Sequence, residues 1–333
     1  MDLLSLSMLT MPTSAPYVVA VDSGGSRTRV GCFNLDGVLL ARQVGPGGSP
    51  THNHAAAENF QSTIAAAMAG GGLVAGDAVA VTAGMAGYET ASDDGWVSTF
   101  FDGTKLTCPR QVVNDSVIAH RGALAGAPGI IVVAGTGSMI ATITDGDVMI
   151  DSGRFQHYAG GARHLVYDVM QRILIGDATE ADAKLIGAVL AWWGARDLGD
   201  LRRIVLGLSG RDYNEVKQRY GGLAPAITAA VASSPLADAA VSHLAEKTAV
   251  GVRLLAPLIG GNAVPVALAG ALATSAEFAD RVARCLTASS DPSISVTDAV
   301  LDPLGGAALM ALASAGIDPT TQLVEQLQAS TAS

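Results

Sequence analysis

Asp22-Ser23-Gly24-Gly25-Ser26-Arg27-Thr28-Arg29 follows the apolar run Val18-Val19-Ala20-Val21. That order delivers a carboxylate at the end of a buried strand, then small residues whose backbone N–H groups nothing shields. Such a turn suits the phosphates of a nucleotide and the divalent metal that accompanies them. A second tight loop, Gly135-Thr136-Gly137-Ser138, follows the apolar run Ile130–Ala134. A third candidate is Asn114-Asp115, between the short apolar stretch Gln111-Val112-Val113 and a helix starting at Ser116. Either residue there is also an ordinary helix N-cap.

The elements that must carry these residues repeat. Val18–Val21, the loop Asp22–Arg27, Thr28–Asn34, an Asp36-Gly37 turn and Val38–Arg42 form one unit. Ile130–Ala134, the loop Gly135–Gly137, Ser138–Thr144, an Asp145-Gly146 turn and Val148–Asp151 form another in the same order. Asp-Gly between two β-prone runs is a hairpin signal. Between the units the pattern predicts a helix over Ala55–Ala69 and a buried strand over Ala78–Ala83. Residues 178–250 read as mainly helical, and the Trp192-Trp193 pair within them as core. Late strands fall at Pro265–Ala269 and Ser293–Thr297, with helices from Ser275, over Ala307–Ala315 and over Pro319–Gln328. This alternation gives mixed sheets covered by helices on both faces.

Length and composition bound the function. The 333 residues are 49% hydrophobic and 15% charged, enough to bury a sizeable core. A net charge of −10 argues against a nucleic-acid partner, because phosphate backbones reward clustered Lys and Arg. Cys32, Cys108 and Cys285 lie far apart with no metal-ligand spacing, so the plain reading is free thiols in a reducing cytoplasm. Residues 1–16 have no basic start and read as a flexible lead-in, and no membrane span is expected.

Five ordered segments resemble the actin-like ATPase and sugar kinase superfamily, specifically its N-acetylglucosamine kinase and BadF/BadG-type branch. Asp22–Arg29 is similar to its first phosphate motif and Gly135–Ser138 to its second. Leu268-Ala269-Gly270-Ala271-Leu272 resembles its adenosine motif, and Asp302-Pro303-Leu304-Gly305-Gly306-Ala307-Ala308 its second connecting helix. Asn114-Asp115 stands where this branch carries its catalytic aspartate. The resemblance implies an α/β fold of two actin-like (ribonuclease H-like) lobes with ATP and Mg²⁺ in a cleft between them. The expected division is a small lobe over 17–118, a large lobe over 119–316, and a final helix, about 317–333, packing back on the small lobe.

On that resemblance, Asp22 would orient the metal's water shell. Ser23, Gly24, Gly25, Ser26, Thr28 and Arg29, with Thr136, Gly137 and Ser138, would hold the phosphates. Gly270 and Ala271 would leave room for adenosine, and Asp115 becomes the general base that takes a proton from a sugar hydroxyl.

One stretch departs from the branch's pattern. N-acetylglucosamine kinases carry a Gly-Asp-Glu-Gly-Ser stretch where this chain has Gly160-Gly161-Ala162-Arg163. This variant looks similar to actinobacterial glucosamine kinases, which makes glucosamine the leading substrate and the 6-hydroxyl the implied acceptor. A cationic amine calls for carboxylate or neutral acceptors. Asp151, Gln156 and His157 are candidates, with Gly48, Ser49, Asn114 and Asp115 from the first lobe. His157 and His164 could equally be structural, donating to backbone carbonyls. Rival readings are a kinase of N-acetylglucosamine or another hexose, an ATPase activator of a radical dehydratase, and a sugar-responsive regulator. A homodimer is left open.

Overall fold

The computed structural model describes residues 15–51, 53–89, 91–144, 148–208, 210, 219–260, 263–288 and 294–331. The lead-in through Ser14 and the Asp145-Gly146 turn lie outside the described residues. Two compact units emerge: one runs through Gly126 and takes in the chain from Val300 on, and the other is Ala127–Ala299.

The first unit is built on a five-stranded sheet. Its strands are β1 (Tyr17–Ser23), β2 (Arg27–Asn34), β3 (Leu39–Pro46), β4 (Ala78–Met85) and β5 (Arg110–Asn114), in the order β3-β2-β1-β4-β5. β1 pairs antiparallel with β2, and β2 with β3; β1 with β4 and β4 with β5 are parallel. Every residue of the central strand β1 is buried, as its uninterrupted apolar sequence requires of a strand covered on both faces. Its side chains alternate between two layers. Tyr17, Val19 and Val21 meet Phe60, Ile64 and Phe101 on one face, while Val18 and Ala20 meet Ile118, Leu304 and Leu312 on the other.

The second unit repeats this topology. β6 (Ile130–Ala134), β7 (Ser138–Ile143) and β8 (Met149–Asp151) form the antiparallel part, and β9 (Val264–Ala269) and β10 (Ile294–Thr297) extend it in parallel on the far side of β6. The order β8-β7-β6-β9-β10 matches β3-β2-β1-β4-β5 position for position. The duplication therefore covers five strands, two more than the sequence pattern revealed. In the helical layer Trp193 is fully buried, as expected, but Trp192 is 38% exposed and lies beneath Arg219. Asp182 ties this layer together. Burial acts to raise its pKa, yet hydrogen bonds from Ser234, Thr179 and Leu236 outweigh that and hold it at about 2.

The boundary between the units differs from expectation. The helix Pro303–Ser314, assigned by sequence to the large lobe, belongs to the first unit. Its small residues explain this, because they let it lie directly on the helix Asp115–Ala123. A Cβ placed on Gly306 would come within 2.0 Å of the Ile118 carbonyl oxygen and 2.6 Å of the Gly122 nitrogen. The terminal helix Thr321–Thr331 packs here too, with Leu323 and Leu327 in the layer of Val18 and Phe33. Among the described residues, no single helix is long and apolar enough to cross a membrane.

Backbone cannot yield as a side chain can, so Gly306→Ala should destabilise the fold by roughly 3 kcal/mol. Chemical denaturation of the variant, with Ala313→Gly on the exposed side of the same helix as the control, checks this. A loss under about 1 kcal/mol for Gly306→Ala would mean that the helices separate freely.

Candidate active site

Both parallel halves end in loops at the carboxyl ends of their strands, where ligands bind in open α/β sheets. In the first unit β1 delivers Asp22 and Ser23, β4 ends at Met85, and β5 ends at Asn114 directly before Asp115. The turn after β1 is closed by the Gly24 N–H donating to Arg27 O at 2.9 Å. The Gly48 N–H donates to Gly24 O at 3.1 Å and Asn53 Nδ2 to Gly25 O at 2.8 Å. Gly24 and Gly25 remain partly exposed and Ser26 is exposed, so their face is open to an anion.

Several side chains expected at a ligand are instead used by the fold. Ser23 and Thr28 are fully buried, with their hydroxyls 3.4 Å apart, so they brace the turn. Ser49 is fully buried and bonded to Thr51 Oγ1 at 2.9 Å. Arg29 reaches 2.5 Å from Asp22 Oδ2 and 3.7 Å from Asp302 Oδ2, so it is committed to carboxylates. Burial raises the pKa of Asp22 and Asp302 adds to the rise, while Arg29 opposes them both by its charge and by its hydrogen bond.

The fold holds Asn114 and Asp115 in different ways. Asn114 is the N-cap: its Oδ1 accepts from Ser116 N at 3.0 Å. Its Nδ2 donates to Tyr88 O at 2.9 Å and Glu89 Oε1 at 3.2 Å, which engages the whole amide within the protein. Asp115, the first residue of the helix, is free of the capping duty. Burial and then the repulsion of Asp22 push its carboxyl up to about 6, with a smaller contribution from Glu89. Hydrogen bonds from the backbone N–H groups of Ser116 and Asp115 itself hold the rise in check.

In the second unit Thr136, Gly137 and Ser138 are exposed after β6, and Gly270 and Ala271 are exposed after β9. Gly270, at φ +92°, sits on Ala134, whose carbonyl accepts from Leu272 N and Ala273 N at 3.0 Å. Gly161 packs on the same loop, where a Cβ would lie 2.2 Å from Gly137 O. Gly161 and Ala162 are therefore backbone spacers for the loop. Arg163 stands beside Thr136, its Nε buried with no hydrogen-bond partner among the described residues.

The expected sugar contacts of this unit lie after β8. Asp151 Oδ1 accepts from Gly153 N at 2.7 Å, and Gln156 is exposed in a left-handed conformation. His157 Nε2 bonds the Lys247 carbonyl at 2.8 Å, which realises the structural alternative for that histidine. His164 Nδ1 accepts from Gly161 N at 3.2 Å, and burial, with Arg163 and Lys247 nearby, holds its pKa down.

Sequence reasoning missed Glu89 and named Asp302 only as the start of a helix motif, with no role at the site. Asp302 carries a readable signal, an Asp-Pro pair opening a helix, and its Oδ1 accepts from Gly305 N at 2.8 Å. Nothing in the sequence marks Glu89. Among the described residues no group of three His, Cys, Asp or Glu side chains could hold a metal ion by itself. A buried carboxylate crowded by Asp302 and Asp115 nevertheless suits a hydrated divalent cation completed by phosphates, because Mg²⁺ keeps most of its water.

No protein-family model matches the sequence, and no curated protein does. Solved structures do match. A candidate N-acetylglucosamine kinase from Chromobacterium violaceum is 24% identical, with a TM-score of 0.68 over 90% of this chain and 99% of that one. A second candidate N-acetylglucosamine kinase, from Porphyromonas gingivalis, is 18% identical with a TM-score of 0.69 over 89% and 99%. A ROK family glucokinase from Streptomyces griseus, in complex with glucose and AMPPNP, is 19% identical with a TM-score of 0.57 over 89% and 98%. The likeness at these identities is one of fold: two five-stranded mixed sheets flanked by helices, the actin-like architecture of sugar kinases.

The raised pKa of Asp115 sets a stability signature. The folded chain holds the proton up to about pH 6 and the unfolded chain only to about 3.8, so the penalty is full above pH 6 and vanishes below 3.8. Asp115→Asn should be more stable than the parent at pH 8, by on the order of 2 kcal/mol, and no more stable at pH 3.5. Urea unfolding at the two pH values reads the difference; one that does not change with pH would mean an unperturbed carboxyl.

Proposed function

We propose that this chain is an ATP-dependent glucosamine kinase, transferring the γ-phosphoryl group of ATP to the sugar's 6-hydroxyl. The observation that carries the reading is Asp115: a carboxylate at a strand end, held near pH 6 by burial and by Asp22. A base with that pKa is ionised at neutral pH yet basic enough to accept the hydroxyl proton as the oxygen attacks phosphorus. Asn114 and Ser116 fix its position through the cap.

Phosphoryl transfer asks mainly for positioning and for neutralisation of charge on the transferring oxygens. The open turn at Gly25 and Ser26 and the exposed Thr136, Gly137 and Ser138 are suited to phosphate oxygens. Arg163, whose buried Nε has no acceptor among the described residues, would gain one from a phosphate bound beside Thr136. Gly270 and Ala271 offer bare backbone against which adenosine can lie. Mg²⁺, held through water by Asp22, would draw charge from the phosphates.

Glucosamine is preferred on the Gly161-Ala162 replacement and on Asp151 and Gln156, polar groups suited to a cationic amine. N-acetylglucosamine is the second reading, favoured by the names of two of the similar structures.

ATP-dependent phosphorylation of glucosamine, N-acetylglucosamine and glucose separates these readings. Glucosamine is expected to turn over best, with kcat/KM falling below about pH 6 as Asp115 takes up its proton. Asp115→Asn should lower kcat by about 10²–10⁴ with little change in KM. Equal or better turnover of the N-acetyl sugar would overturn the substrate, and full activity of the variant would overturn the base.

A further inference from the structure

We infer that Arg29 is an internal counter-cation at the metal position, competing with a divalent cation for the Asp22 carboxylate until nucleotide gives Arg29 another acceptor. Asp22 and Arg29 are directly opposed in the antiparallel register of β1 and β2, so two paired backbones hold them together. The guanidinium lies 2.5 Å from Asp22 Oδ2, and the same group reaches Asp302 Oδ2 at 3.7 Å. Asp22's side chain is only 10% exposed, which leaves little room for a second cation on the occupied oxygen. Arg29, at 35%, has a route outward.

The chemistry of the pair supports an exchange. A guanidinium binds carboxylate and phosphate oxygens with equal facility, so phosphates arriving with the metal would replace what Arg29 gives up. The metal alone brings no acceptor, and its arrival would leave Arg29 with Asp302 as its remaining partner. The nucleotide-free protein should therefore hold divalent cations weakly. Asp302 also caps the helix Pro303–Ser314, so the exchange loosens one contact at the start of that helix while its cap remains. The inference rests on the phosphotransfer reading only in taking Asp22 as the carboxylate that faces the metal.

Mn²⁺ binding to the full chain, without nucleotide or sugar, tests the exchange through the free Mn²⁺ signal in electron paramagnetic resonance. Arg29→Met should bind one Mn²⁺ at least about tenfold more tightly than the parent, and Arg29→Lys should fall between them. Asp22→Asn added to Arg29→Met should abolish the gain. Mn²⁺ should also raise the Tm of Arg29→Met more than that of the parent. Should Arg29→Met fail to fold, Arg29→Lys must still bind more tightly than the parent. Affinity unchanged or weaker in the folded variants, or a gain that survives Asp22→Asn, overturns the inference. Absence of phosphoryl transfer to any sugar would be a separate result that refutes the kinase reading and leaves this measurement standing.

Discussion

The first unit is organised around a repulsion. The charge of Asp22 disfavours ionisation of Asp115, in a region where burial already penalises both carboxylates. Separation in water would relieve this cheaply, but the fold forbids it. Asp22 is locked in the central strand, whose every residue is buried, and Asp115 is locked at the start of a helix by the cap of its neighbour. One guanidinium offsets the first carboxylate, and backbone N–H groups at a helix N-terminus partly offset the second. The strain of such an arrangement is what a proton acceptor near neutral pH requires.

The duplicated topology shows how one scaffold supplies two kinds of loop. The strand ends of β1, β4 and β5 correspond to those of β6, β9 and β10. In the first unit these positions carry Asp22 and Asp115, the groups with charge. In the second unit they carry Gly135 to Ser138 and Gly270, which offer backbone and hydroxyl groups without charge. The carboxylates are held on a buried strand and a helix start, whereas the second unit's loop is exposed, with Gly161 packed on Gly137 beside it.

Legibility in the sequence followed locality. The strands of both meanders and the two Gly-rich turns could be read because each is written in a few adjacent residues. The match of β4 and β5 to β9 and β10 was hidden, since parallel strands are joined by long connections whose lengths differ between the units. The place of Pro303–Ser314 was hidden for a related reason: Gly306 needs a partner helix, and its partner is far away in sequence. At the site, the sequence overstated polar contacts. Ser23, Thr28, Ser49 and Asn114 have the right chemistry for ligands, but burial and hydrogen bonds hold them in the loops they belong to. A residue's type records what it can bind, and only its neighbours decide what it does bind.

The central claim is that Asp22 and burial together tune Asp115. The direct measurement is the pKa of the Asp115 carboxyl carbon, followed by ¹³C NMR in aspartate-labelled protein and assigned by its loss in Asp115→Asn. A midpoint near 6 that moves down toward the usual carboxylate range in Asp22→Asn is the predicted result. A midpoint near 4 in the parent, or one near 6 that Asp22→Asn leaves in place, would contradict it.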